Sequence, residues 1–437
     1  MVLKKLIAVA LSALMVLCLS GCDGLMLNVD ELLLSPKLEG DMYPVQQALE
    51  DAVGDDITLK YPSLGEYRSA FVLKDINADG TDEAFAFYST TSDSTVTMHI
   101  NVIEKENNKW KSKGDLSLVG TGIESVSFAD LNGNGRLEII VGWYIFGTTE
   151  KQVGIYEFEG GFLTLRAIEP YTNFTFADFT GDMIKDIVVI YLNSAETAAT
   201  AKLLSLSNSG IKEVGSAKLD PGVSSYNTPV VSKLSDNTPA LYVDAVKGSG
   251  MITEIIWYKD GTLNGTYNPE APEYSPTYRS GTVVSRDYDS DGTVDIPLTE
   301  ILVSTAQMAD SDKVYYTNWS QFSGSEFSTV ASALMNYSDG YSITVPSHIK
   351  QNLLVIRKLE SRTRYFYSYN QSENAVGTEI FRIVTVSAAE YDKTTYYESG
   401  YVEIAQTENL VYLIKIAADN NLELTNDEIK AMFAVLK

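Results

Sequence analysis

The sequence predicts a mainly β protein of about five repeated four-stranded sheets, followed by a small C-terminal α+β domain. Three observations predict it. First, an apolar strand, the pattern D-x-[D/N/T]-x-[D/N], an acid at the ninth position and a second apolar strand occur together four times, from Asp75, Asp130, Asp178 and Asp287. Second, those starts are spaced by about 50 residues with one double gap, the period of a repeat array. Third, each acidic hairpin is followed by another strand–turn–strand segment, so that one unit supplies four strands.

The chain opens with Lys4 and Lys5 and then an apolar run from Leu6 to Leu19. That run is short for a membrane span and has the length of a signal-peptide core. It ends in Leu19-Ser20-Gly21-Cys22, which resembles the lipobox of bacterial lipoproteins. The resemblance implies cleavage before Cys22, lipidation of Cys22 and anchoring on the extracytoplasmic face of the cell membrane by acyl chains, each buried CH₂ contributing about 0.8 kcal/mol. The chain has two cysteines, Cys18 within the signal and Cys22. None is left for a disulfide, a zinc cluster or a thiol nucleophile.

The formal net charge is −25. Loss of Lys4 and Lys5 with the signal makes the mature chain more negative still. Such a field disfavours nucleic acid and anionic lipid and attracts divalent cations. With 45% hydrophobic residues the chain nevertheless has the composition of a folded protein. The expected division is 1–21 signal peptide, 22–60 tether and short helix, 61–338 repeat region and 339–437 C-terminal domain. In the helix, Asp41 is expected to cap, Pro44 to sit in the first turn, and Val45, Ala48, Leu49 and Ala52 to share a face.

The double gap places a degenerate fourth unit of five near residue 233, where V-V-S-K-L-S-D-N-T-P-A-L-Y-V keeps the strand–loop–strand shape but loses the acids, with Lys233, Ser235 and Asn237 at the ligand positions. The second hairpins are clearest near 153, 255 and 314, and weaker near 100 and 203. Two hairpins per unit at this period suggest the blades of a β-propeller. From residue 339 the acidic loop is absent. Strands are expected at Tyr341–Val345, Leu353–Arg357, Arg364–Tyr369, Glu379–Val386, Tyr401–Ala405 and Leu410–Ile416. A final helix opens on the capping box Thr425 to Glu428, with Ile429, Met432, Phe433 and Leu436 on its apolar face.

The acidic loops have the chemistry of a hard-cation site. Calcium takes six to eight oxygens, and a tight loop can offer side chains at positions 1, 3 and 5 with a carboxylate further on. An EF-hand would place that last acid at position 12, where the sequence has Ala86 and Leu298. Here it falls at position 9, on the returning strand. The pattern is similar to the FG-GAP and VCBS repeats of integrin-α-like propellers, over roughly residues 65–335. The resemblance implies structural calcium and metal ligands at Asp75, Asn77, Asp79 and Glu83; at Asp130, Asn132, Asn134 and Glu138; at Asp178, Thr180, Asp182 and Asp186; and at Asp287, Asp289, Asp291 and Asp295. Two departures weaken it: Met183 replaces the turn glycine of the third loop, and the second loop has only two carboxylates.

No catalytic constellation stands out. The two histidines, His99 and His348, are isolated in sequence, so a His-dependent triad is hard to build. Trp143, Trp257 and Trp319 are expected to pack between blades. The expected function is therefore non-enzymatic: a calcium-stabilised binding or adhesion module for an extracytoplasmic protein or glycan, touching membrane only through its lipid and binding no nucleic acid. Two alternatives stand beside it, a polysaccharide lyase or hydrolase on a propeller scaffold and a structural component of envelope assembly.

Overall fold

The computed structural model of the protein describes residues 42–436, apart from 93, 94, 146, 149, 208, 209 and 421. The expected signal peptide, Cys22 and Asp41 lie outside them. The described chain is mainly β, in six antiparallel sheets. It divides into two compact units, one of residues 42–130 with Asn134–Pro170, the other of Leu131–Gly133 with residues 171–436.

In the first unit, helix Tyr43–Val53 begins at Met42 without a side-chain cap, with Pro44 in its first turn. It buries Val45, Ala48 and Leu49 against the first sheet, with Gln46 in place of the exposed Ala52. That sheet carries Phe71–Lys74, Glu83–Ser92, Thr95–Glu106 and Lys109–Val119. The second carries Gly122–Ala129, Glu138–Tyr144, Lys151–Glu159 and Phe162–Tyr171. Alternation sends Phe85, Phe87 and Ile100 from one, and Ile139, Trp143 and Tyr156 from the other, into a shared core. Burial of such large side chains is worth roughly 1.5–3 kcal/mol each.

The second unit repeats this logic. Its first sheet holds Asn173–Ala177, Asp186–Asn193, Ala198–Ser207 and Gly210–Lys218, and the next is built on Pro239–Lys247 and Gly250–Lys259. They share a core around Val188, Leu203, Leu241 and Ile256. Gly215 lies at the close approach of these sheets, where a Cβ would meet the Cβ of Leu263 at 2.9 Å. The following sheet, with Ile296–Ile301, Tyr315–Phe322 and Phe327–Asn336, packs on its predecessor through Trp257, Ile296 and Phe322. All five second hairpins expected from sequence are present.

Three expectations change. Near residue 233 the hairpin is shorter than the acidic ones. Lys233 pairs directly with Pro239, so Lys233 lies on the strand rather than at the first loop position. Its ammonium donates to Asn237 Oδ1 at 2.9 Å. Strand Tyr341–Thr344, expected to open a separate domain, instead pairs with Phe327–Asn336 as the fourth strand of the fifth sheet. The final helix runs only over Asn426–Met432, its Thr425–Glu428 capping box intact in both directions. Phe433–Val435 then becomes a strand beside Tyr341–Thr344, because Phe433 gains ring contacts with Tyr341 and Tyr412 at 5.2 and 5.1 Å. The sixth sheet, Leu353–Lys358 through Leu410–Ile416, shares a core with the fifth around Tyr341, Ile343, Phe366 and Ile414.

Candidate metal centres in the repeated loops

One register recurs in all four acidic loops. The residue before position 1 pairs across the hairpin with the acid at position 9: Lys74 with Glu83, Ala129 with Glu138, Ala177 with Asp186, and Arg286 with Asp295. The acid is thereby fixed at the foot of the return strand with its side chain turned inward. All four are buried, at 3%, 1%, 1% and 0% exposure. In three loops its carboxylate accepts the amide of position 2, from Ile76 at 3.0 Å, Phe179 at 3.1 Å and Tyr288 at 2.8 Å.

Position 1 is held as uniformly. Its carboxylate accepts the amide of position 6: Gly80 to Asp75 at 3.0 Å, and Gly135 to Asp130, Met183 to Asp178 and Gly292 to Asp287 at 2.9 Å. Position 5 accepts from position 7, as Thr81 donates to Asp79 and Thr293 to Asp291, and likewise Arg136 to Asn134 and Ile184 to Asp182. Met183 therefore makes the turn that glycine makes elsewhere, in the left-handed region at φ 69°. Position 4 is left-handed as well, at Ala78, Gly133, Gly181 and Ser290; residue type alone did not signal this, since only two of the four are glycine.

The donor set suits a hard cation. Asp75 Oδ1, Asp186 Oδ1 and Asp295 Oδ1 are buried with no hydrogen-bond partner among the described residues. A buried carboxylate oxygen left unpaired is costly, so three of them at equivalent loops point to a common need for positive charge. Burial pushes the Glu83, Asp186 and Asp295 carboxyls above their usual range. In the last loop, oxygens of Asp287, Asp289 and Asp295 lie within 4.8 Å of one another. Asp291 stands outside that group: Gln321 donates to its Oδ2 at 2.9 Å and holds its carboxyl below the usual range.

The other loops differ in what they bring together. In the first, Asn77 Nδ2 donates to Glu83 Oε1 at 2.9 Å, and Asp79 is exposed. In the third, Thr180 gives both its amide and its hydroxyl to Asp186 Oδ2 at 3.0 Å, with Asp182 exposed. In the second, Asp130, Asn134 and Glu138 belong to the first compact unit, while Asn132 falls in the short stretch grouped with the other.

His99 is not isolated in space. It stacks on Tyr88 at 4.6 Å, and its ring nitrogens contact Asp115 Oδ2 at 2.8 Å and Thr90 Oγ1 at 3.0 Å. The spacing of residues 90, 99 and 115 carried no hint of this; strand register assembles it, with Tyr88 opposite His99 and Asn101 opposite Asp115. Asp115 also accepts from Tyr88 and Asn101. These bonds tie the group into the sheet.

The FG-GAP-like repeat family matches residues 75–141. No curated protein matches the sequence. Among solved structures the chain is similar to the exotype rhamnogalacturonan lyase YesX, at 10% identity, with 74% of this chain and 83% of that one covered and a TM-score of 0.31. It is also similar to Bacillus licheniformis rhamnogalacturonan lyase PL11, at 10% identity, 74% and 76% coverage and 0.32, and to the Pseudomonas aeruginosa periplasmic gluconolactonase, at 9%, 72% and 86%, and 0.25. The expectation of a non-enzyme is corrected on this finding, because the neighbours include rhamnogalacturonan lyases. No residue role is carried over from them.

Proposed function

We propose that this chain is a bacterial lipoprotein held on the extracytoplasmic face of the membrane through Cys22. Its five repeat sheets form the blades of a calcium-stabilised β-propeller, and its task is to engage a glycan outside the membrane. One observation carries the metal part of this reading: the same register and hydrogen-bonded frame recurs in four loops, with buried carboxylate oxygens that lack partners in three of them. Asp287, Asp289 and Asp295 are the strongest ligand set, their oxygens lying within 4.8 Å of one another, and Asp75 with Glu83 and Asp178 with Asp186 are the further candidates, each pair including a buried oxygen without a partner among the described residues. Bound calcium neutralises these clustered acids. The loops then lock each first hairpin against the second, leaving the blade edges rigid enough to present a binding surface.

The test is a thermal melt of the purified protein in calcium and in chelator, with calorimetric counting of bound ions, followed by a polysaccharide panel read for both retention and turnover. A calcium-dependent rise with several ions bound, together with retention of a glycan, is the expected result. No ion uptake would remove the metal, and a folded protein that neither retains nor turns over any glycan would remove the ligand class.

A further inference from the structure

Arg357 and Arg364 are directly opposite each other on neighbouring antiparallel strands. Like charges so placed repel and destabilise the pair. Neither forms an ion pair among the described residues. Arg364 is only 9% exposed, and donates once, from Nη1 to the Met335 carbonyl at 3.1 Å. Beyond that it has the Tyr341 ring at 5.8 Å. Arg357 reaches only carbonyls, those of Ser311 and Lys313. Arg279 shows how this chain ordinarily buries a guanidinium. It is 0% exposed, with Asp244 at 2.7 Å and further bonds to Thr253, Thr277 and Val283.

Acids are not scarce, at 58 against 33 bases, yet none is directed to this spot. Asp339 acts on Arg364 from a distance, but its oxygens are bonded to Arg362 at 2.6 Å and Asn336 at 2.9 Å. Burial and the neighbouring Arg357 both depress the Arg364 pKa, which again marks an uncompensated cation.

Both arginines line a cavity of about 420 Å³, and both also line an adjoining one of about 220 Å³ that includes Lys358 and Arg362. The larger is of small-ligand size. Tyr315 and Tyr337, 50% and 59% exposed, stand in its wall, as do the hydroxyl-bearing Thr299 and Thr317. Paired guanidinium forks match a carboxylate bidentately. Tyrosine rings with an apolar face and a polar tip suit a flat, hydroxyl-rich ligand.

We infer that this cavity is a binding site for an acidic saccharide, with Arg357 and Arg364 taking the carboxylate of a uronate unit and Tyr315 and Tyr337 bearing on its ring. The inference deepens the glycan reading above by naming a ligand class and a place for it, and it is independent of the calcium loops.

The test is calorimetric titration of the full chain with tri-galacturonate, a neutral galactose trimer and inorganic phosphate. Tri-galacturonate is expected to bind, to weaken as salt rises, and to outbind the neutral trimer at least tenfold. Arg364→Met removes the like-charge pair and is expected to keep or raise the melting temperature while weakening tri-galacturonate at least tenfold. Tyr337→Ala, at an exposed side chain, is a second variant expected to weaken it severalfold. No tri-galacturonate binding, equal binding of the neutral trimer, binding of phosphate alone, or undiminished binding by both variants would overturn the assignment. The calcium-dependent melt of the same samples keeps the two readings apart. A normal calcium shift without uronate binding defeats this site alone, and uronate binding without a calcium shift defeats only the metal.

Discussion

The Met183 amide donates to Asp178 Oδ2 at 2.9 Å, the bond that glycine makes at the equivalent place in the other three acidic loops. A side chain with a Cβ thus sits in the left-handed region to preserve one hydrogen bond. Left-handed backbone costs a non-glycine residue about 1–2 kcal/mol, while glycine's extra chain entropy costs about 0.5–1 kcal/mol. The Met183 side chain is 93% exposed and packs little. Met183→Gly is therefore expected to stabilise the protein by about 0.5–1 kcal/mol in urea titration; a loss of stability would show that the turn is unstrained.

Asp295→Asn should change sign with calcium. In chelator the variant removes a buried charge whose Oδ1 has no partner, while keeping an oxygen for the Tyr288 amide, so it should melt above the parent protein. In calcium it should melt below it, having lost a ligand. A site held at one hundred times its dissociation constant stabilises by about 2.7 kcal/mol. The same ordering of the two proteins in both buffers would argue against an ion at this loop.

Glu254 gives the stability a pH dependence. It is buried, accepts the Asp220 amide at 2.6 Å, and burial raises its pKa from 4.5 to about 7. The folded state therefore holds this proton more tightly than the unfolded chain. Its contribution is full below about pH 4.5 and is lost as the pH rises to about 7. Glu254→Gln, which retains an acceptor for Asp220, should flatten that part of the curve of unfolding free energy against pH. An identical slope in both proteins would refute the assignment.

The Asp244 carboxylate gathers Arg279, Thr253 and both the amide and hydroxyl of Ser285, at 2.7–2.9 Å. Removing one partner of a buried ion pair typically costs about 3–5 kcal/mol, since the other charge is left uncompensated. Asp244→Ala should reach that range in chemical denaturation. A cost below about 1 kcal/mol would mean that water replaces the carboxylate.

The hairpins and acidic loops were legible in the sequence because period, turn residues and oxygen-bearing side chains coincide in one dimension. Features made by pairing across strands were not. The hairpin at Lys233 was given the length of its siblings, but its two strands meet three residues sooner. His99 acquires Asp115 and Thr90 through register alone. Phe433 continues a helical stripe in sequence, yet ring contacts with Tyr341 and Tyr412 and pairing with Ile343 draw it into a sheet. Net charge hid the cluster at Arg357 and Arg364, since a strongly acidic total says nothing about where the few cations collect.

Strand Phe433–Val435 completes a sheet whose other members end at Thr344, so all of 345–432 is threaded between two neighbours of one ladder. That is a covalent stitch. A force pulling on the sixth sheet therefore has to peel away this short strand as well as open the core shared with the fifth. Opening there would expose the edge at Tyr341–Thr344, a template for pairing with another chain. The pairing of three residues thus adds to the shared core in keeping the molecule from unravelling, and it covers the Tyr341–Thr344 edge.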